Sequence, residues 1–441
     1  MGEARNVVLG GGLAGLMAAM TVQQAGEDDW MVLERGDRAG GHASSVSRDG
    51  YVFDYGPHIL FTADPAMEAL IRDLLGDNLR SQERRALIYH EEPDVYTRFP
   101  FQAHLHGLPV PVVRDCLVGL LEAVEARARG AFAPTNYEEW MRGTFGDAIS
   151  DRLMIPYARK IWTVEPSTMD FDWIGRRVPT PDVERIILGA LTDDVGQIGA
   201  TAQFWYPWRG GIEALPMALA GRVQGIETNR EVRRVDLARR VVTCADGDEL
   251  AFDDMVLTLP LNMLPDWFVD LPPRIADLCG RLQYQGIFNV NVGVSRPSLS
   301  DAHWVYFYED AYPFHRLSFP GNFSPHNVPE GKSSVSVEVA YSRGRPLDRE
   351  AMIEQTLRAL RRAKILTDDD ELDLVHAEEI SPAYVIYDLE HRRNTDEIRG
   401  WLEEQRVWTA GRFGEWGYLN MDHAMASGRA AGEAVLRSRG A

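Results

Sequence analysis

Positive charge is scarce in this 441-residue chain, which sets 46 Lys plus Arg against 66 Asp plus Glu for a formal charge of −20. No Lys/Arg run offers a track for a polyanion and the net field repels one, so nucleic acid is excluded as a partner. An anionic small molecule would need individual arginines gathered inside a cleft. Cysteine is scarcer still. Cys116, Cys244 and Cys279 stand far apart, match no metal or disulfide spacing, and read as reduced thiols with no metal expected. No stretch approaches the ~20 apolar residues of a membrane span. The apolar N-terminal stretch is broken by glycines and lacks the basic leader and cleavage site of a signal peptide. Asn6 stands where myristoylation favours Ser or Thr. The expectation is a cytoplasmic protein with no membrane partner. Internal repeats and low-complexity linkers are missing as well. What remains is 45% hydrophobic and 25% charged, a globular composition long enough for several cores at roughly 150 residues per domain.

Along the chain, Asn6 to Leu9 reads as an apolar strand, Gly10 to Gly15 as a tight turn, Leu16 to Gln24 as an Ala-rich helix and Trp30 to Leu33 as a second strand. From Pro109 to about Leu191 the pattern is mostly helical: Cys116 to Arg129 is amphipathic, and Asn136 caps a helix from Tyr137 with Glu139 three residues on. Phe288 to Val294 and Ser333 to Val339 alternate as antiparallel strands do. Val241 to Leu259 reads as a hairpin turning at Asp246-Gly247-Asp248 and then a strand from Met255. Val407 to Ala410 is a strand, followed by Gly411 and a small-residue helix from about Asp422 to Arg437.

Gly10-Gly11-Gly12-Leu13-Ala14-Gly15 is a G-x-G-x-x-G directly between strand and helix, and Glu34 follows nineteen residues after Gly15 at the end of the next strand. Gly10 permits the turn, Gly12 admits a pyrophosphate to the backbone, and Gly15 lets helix and strand pack closely. The helix N-terminus presents free N–H groups to phosphate. Glu34 accepts from the hydroxyls of the adenosine ribose. Alone the glycine pattern is also that of an ordinary turn; strand, helix, second strand and acid together make it a dinucleotide site.

Arg35-Gly-Asp-Arg-Ala-Gly-Gly41 then gives an E-R-x-x-x-x-G-G run beginning at Glu34, which resembles FAD-dependent amine oxidases and their relatives rather than NAD enzymes. The resemblance implies FAD held by Gly10, Gly12, Leu13, Ala14, Gly15, Glu34, Arg35, Gly40 and Gly41. It further places the Val232 backbone at the adenine and Gly411-Arg412 before the last helix, with Arg412 on the pyrophosphate. Longer pieces are similar to UDP-galactopyranose mutases of the eukaryotic-type branch: Asp54-Tyr-Gly-Pro-His-Ile-Leu-Phe-Thr62, Phe99-Pro-Phe-Gln102, Tyr157-Ala-Arg-Lys-Ile-Trp162, Trp173-Ile-Gly-Arg-Arg-Val178, Trp304-Val-Tyr-Phe-Tyr-Glu-Asp310, Pro313-Phe-His-Arg316 and Gly411-Arg-Phe-Gly-Glu-Trp416.

That likeness implies an α/β fold: a Rossmann-type FAD-binding domain with a helical insertion and an antiparallel-sheet substrate domain. The expected division is residues 1–85, 203–265 and 402–441 for FAD, 104–195 for the helices, and 86–103 with 270–400 for the sheet. It also implies a redox-neutral reaction in which N5 of reduced FAD attacks the anomeric carbon of a nucleotide-diphosphate sugar, with an external reductant such as NAD(P)H. Arg177 and Arg316 are implied as the clamp on the diphosphate, a role suited to a planar, permanently charged guanidinium. Read alone, Arg177 is a surface cation on a helix. Tyr306, Tyr384 and Tyr418 fall where the family touches phosphate, Trp162 where it packs near substrate, His58 beside the flavin N5 or O4, and Phe99 and Gln102 by the nucleotide. Without the resemblance, the aromatics read as core, His58 as a satisfied core histidine and Gln102 as an exposed loop residue.

Several departures lie where substrate is read. Ala158 and Thr201 stand where the family has Asn, Phe99 where it has Tyr, the glycine loop shrinks to Gly210-Gly211-Ile212, and Tyr384 lies in Tyr-Val-Ile-Tyr. Two lost amides remove hydrogen bonds worth about 1 kcal/mol each, so another base or a deoxysugar is the expectation. The rival reading is an FAD oxidoreductase of amine oxidase or protoporphyrinogen oxidase type, which shares every FAD motif; a third is a flavin-binding protein without chemistry of its own.

Overall fold

The computed structural model describes residues 6–175, 178, 182–193, 196 and 202–440. Arg177 and Thr201 lie outside the described residues.

The strand Asn6–Leu9 is buried at every position. It is flanked on one side by Trp30–Leu33 and on the other by Asp254–Leu257, both parallel. A strand with parallel neighbours on both edges and helices on its faces has no solvent side, which is why its sequence is an unbroken apolar run. The sheet has five strands, with Val407–Thr409 and Ile226–Glu227 at its edges. Strands from the two ends of the chain thus share one core.

Behind this sheet the helix Leu13–Gln24 packs on the C-terminal helix Met421–Gly440. Small residues make the close crossing possible: a Cβ on Gly428 would stand 2.0 Å from the Ala14 carbonyl oxygen, and one on Gly432 2.9 Å from that of Ala18. The buried Asp254 carboxylate anchors the far end through Arg406 and Arg439.

A second, seven-stranded sheet takes its strands from residues 86–98 and 283–386. It is antiparallel except for one parallel pairing, Trp304–Tyr306 with Ala86–His90. Gln283–Val294 pairs with Ser333–Tyr341 and with Leu372–Ile386. The last of these is fifteen residues long. It is absent from the sequence expectation because its first half, Leu372-Asp-Leu-Val-His-Ala-Glu-Glu379, lacks clean alternation.

The helical segment contains Val110–Ala128, Tyr137–Phe145, Ile155–Trp162 and Val183–Leu191. Asn136 caps the second as expected, accepting from the Glu139 N–H at 3.0 Å. The Glu139 carboxylate reaches back to the Thr135 N–H at 2.8 Å, one residue before the cap. The architecture is α/β, as the sequence predicts: a parallel dinucleotide-type sheet, a helical segment and a largely antiparallel sheet.

Candidate functional site

A cavity of about 1230 Å³ runs between the two sheets and the helical segment. It is lined by Gly10, Gly12, Leu13, Ala14, Glu34, Arg35, Gly40, Gly41 and Val232, by His58, Gly411 and Arg412, and by Phe99, Gln102, Trp162, Tyr306, Arg316, Tyr384 and Tyr418. Of the residues expected to hold FAD or substrate, only Gly15 among the described ones is not in the wall.

The end beside the parallel sheet is made of backbone. Gly10 has φ +106°, and a Cβ there would stand 2.3 Å from Thr258 Oγ1. One on Gly15 would fall 2.0 Å from the Gly10 carbonyl oxygen, so helix and loop meet only because Gly15 has no side chain. The helix begins at Leu13 with no side chain capping it, leaving its first N–H groups available to an anion. Glu34 accepts from the N–H of Gly11 through Oε2 at 2.8 Å and from that of Gly36 through Oε1 at 2.7 Å. These bonds hold the carboxylate in the wall, and each oxygen keeps a lone pair for a further donor. A glycine cradle, a bare helix N-terminus and an oriented acid fit the pyrophosphate and ribose of a dinucleotide.

In the middle, two histidines are kept neutral. Burial first, and the nearby Arg412 second, push His58 down to about 3; the same two causes push His42 down to about 4. The His58 Nδ1 lies 3.0 Å from the Gly56 carbonyl. Because a carbonyl only accepts, the ring proton sits on Nδ1 and Nε2 is left as an acceptor. Arg412 donates to the carbonyls of Ala383 and Leu419 and lies over the rings of Tyr384 and Tyr418. Three of its five N–H groups are therefore tied to the protein, which leaves two donors for the pyrophosphate role expected of it.

Beyond the histidines the wall is built from side chains. Trp162 stands edge-on to Tyr384 and Tyr418, and Phe99 leans on Tyr306 at 4.8 Å between ring centres. Burial pushes Tyr384 up to about 12 and raises Tyr157 well above the usual phenol value. These phenols keep their protons, so each hydroxyl can act as a donor to a bound group. Arg316 faces them. Burial opposes its charge, but Glu338 directly across the ladder more than offsets this, so the guanidinium stays charged.

Ile88, Phe101, Leu153 and Met154 belong to one apolar cluster and line the same cavity as Gln102. The Gln102 side chain is buried and makes no hydrogen bond among the described residues. It is not the exposed loop residue that its neighbourhood in sequence suggests. Ala158 is also buried in the cavity wall.

Three contributors escaped the sequence. Glu338 sits in Ser-Ser-Val-Ser-Val-Glu-Val; a lone carboxylate on a strand with both faces apolar or small was the available signal. Tyr157 entered only as part of a longer motif. Arg84, buried at 1% and over the Phe99 ring, gave no signal in its exposed-looking Glu-Arg-Arg setting.

The chain matches the family described as flavin containing amine oxidoreductase over residues 13–436. Among solved structures it is similar to a reduced UDP-galactopyranose mutase, with a TM-score of 0.91 and 27% identity, covering 98% of this chain and 94% of that one. Among curated proteins it is 20% identical to the coproporphyrinogen III oxidase of Bacillus subtilis over 77% of each chain. It is 25% identical to the chloroplastic protoporphyrinogen oxidase of Nicotiana tabacum, over 37% of this chain and 30% of that protein. The latter alignment thus spans under a third of the relative's length. FAD is the cofactor this family implies, and the glycine cradle and Glu34 fit it. The chain belongs to the flavin-containing amine oxidoreductase family.

Proposed function

We propose that this protein is a flavin-dependent mutase that changes the ring size of the sugar in a nucleotide-diphosphate sugar. One observation carries the reading: Arg316 is a half-buried cation that lines the cavity, close to a group of protonated phenols. Cation and hydroxyl donors together suit an oxygen-rich dianion. The likeness to a UDP-galactopyranose mutase over nearly the whole chain supports the same reading.

When bound in its reduced form, FAD supplies a nucleophile at N5 for the anomeric carbon. The chain does the rest. Arg316, with Arg177 proposed as its counterpart, binds the diphosphate and stabilises the charge it gains on leaving. Tyr306, Tyr384 and Tyr418 donate to its oxygens. His58 Nε2 accepts a hydrogen bond where the flavin ring is proposed to lie, and Trp162 and Phe99 keep water from the opened sugar. Gln102 reads one edge of the base. The three-part domain division, the need for an external reductant such as NAD(P)H, and a cytoplasmic setting belong to the same proposal. No helix among the described residues is long and apolar enough to cross a membrane.

The second reading, an FAD oxidoreductase, is favoured by the relatives named as porphyrinogen oxidases. The test is to reduce the FAD-loaded protein with dithionite, supply a panel of nucleotide pyranoses and look for furanose products by chromatography. Ring-contracted product that needs reduced flavin supports the mutase; oxygen consumption with a porphyrinogen or amine, and no furanose across the panel, supports the oxidase.

A further inference from the structure

The strand Arg316–Ser318 lies beside Ser333–Tyr341 with Arg316 directly opposite Glu338. Both side chains reach the cavity. They meet as two forks: Nε bonds Oε2, and Nη2 bonds Oε1 at 3.0 Å. Glu338 is almost fully buried at 2% while Arg316 keeps 18%. A guanidinium has five N–H donors; two are used here, and no other hydrogen-bond or ion-pair partner of Arg316 occurs among the described residues. Glu338 therefore turns the other edge of the fork toward the cavity.

The opposite side of Glu338 is also fitted. Gly56 has φ +83°, and a Cβ there would stand 3.0 Å from Glu338 Oε1. The same Gly56 provides the carbonyl that bonds His58. One carboxylate thus rests between the cation and the turn that orients the histidine.

A mutase sets a particular demand on such a cation. The diphosphate must leave the anomeric carbon, stay in the cavity and return to the same carbon, so a grip much tighter on the free group than on the bonded one would trap it. Resting on the mutase reading, we propose that Glu338 is a positioning residue that aims Arg316 at the phosphates. By offsetting its charge, Glu338 also keeps the hold on a free nucleoside diphosphate moderate. Without that carboxylate the cation would stand alone in a low-dielectric cavity.

The experiment titrates the FAD-loaded full chain with UDP and with inorganic pyrophosphate by calorimetry. Glu338→Gln keeps the shape and one acceptor but removes the charge; affinity for both probes should rise on the order of tenfold, while turnover falls. Glu338→Asp keeps the charge but withdraws the fork, and should bind both more weakly than wild type. A merely structural role predicts weaker binding in both variants, and unchanged or weaker binding in Glu338→Gln overturns the inference. If that variant fails to fold, Glu338→Asp decides through an unaltered affinity, which likewise overturns it. The double variant Arg316→Ala/Glu338→Gln should lose pyrophosphate binding, and retention places the anion elsewhere and overturns the inference. If wild type binds neither probe, the mutase reading falls too; if it binds both and Glu338→Gln does not tighten, only the role of Glu338 falls.

Discussion

The two ends of the cavity are made differently. The dinucleotide end is a backbone object: the glycine loop, the start of one helix and Glu34 all come from residues 6–36. The other end is a side-chain object, in which Gln102, Trp162, Tyr306, Arg316, Glu338, Tyr384 and Tyr418 each arrive from a different element or loop. A backbone site tolerates change everywhere except where a Cβ would collide. A side-chain site depends on each charge finding its partner, so its weak points are electrostatic.

That contrast orders the expected effects of mutation. The largest belongs to the charged end. Arg316→Ala leaves a carboxylate buried without its cation, which costs about 3–5 kcal/mol. Urea unfolding should show it, and Glu338→Gln on top of it should restore most of the loss. If the double variant is no more stable than the single, the pair is not the weak point. Next comes the backbone end: Gly15→Val drives a side chain into the Gly10 carbonyl, at 2.0 Å for the Cβ alone. Overpacking of this kind costs about 1–3 kcal/mol, and the purified protein should be colourless. A yellow protein with full flavin absorbance would show that the loop is less constrained than its contacts indicate. The smallest effect is at Gln102. Gln102→Leu removes one amide from the cavity wall and should weaken a nucleoside diphosphate by about 1 kcal/mol, with pyrophosphate binding unchanged. Equal losses for both probes would remove Gln102 from the base end.

Legibility followed the same division. The strands Asn6–Leu9 and Trp30–Leu33 match their sequence boundaries, because a strand buried on both faces is a continuous apolar run between turns. The first helix starts at Leu13 rather than Leu16, since its first turn is made of the same small residues that form the loop. The long strand Leu372–Ile386 was not legible: in its first half Asp373 and Glu379 point to one face and His376 and Glu378 to the other, so no two-residue alternation shows. Gln102 reads as exposed because nothing in its own short segment tells that the folded chain buries it in the cavity wall.

Local pattern alone determined the dinucleotide loop, the acid that follows it, and the change from parallel to antiparallel segments, because each is specified by neighbours within about one turn or one strand. Only the folded chain decided that Arg316 faces Glu338, that His58 carries its proton on Nδ1, and that Gln102 is buried with no hydrogen-bond partner among the described residues. Those facts depend on which distant segments share a ladder or a wall, and a cation's behaviour is set by what stands across from it in space.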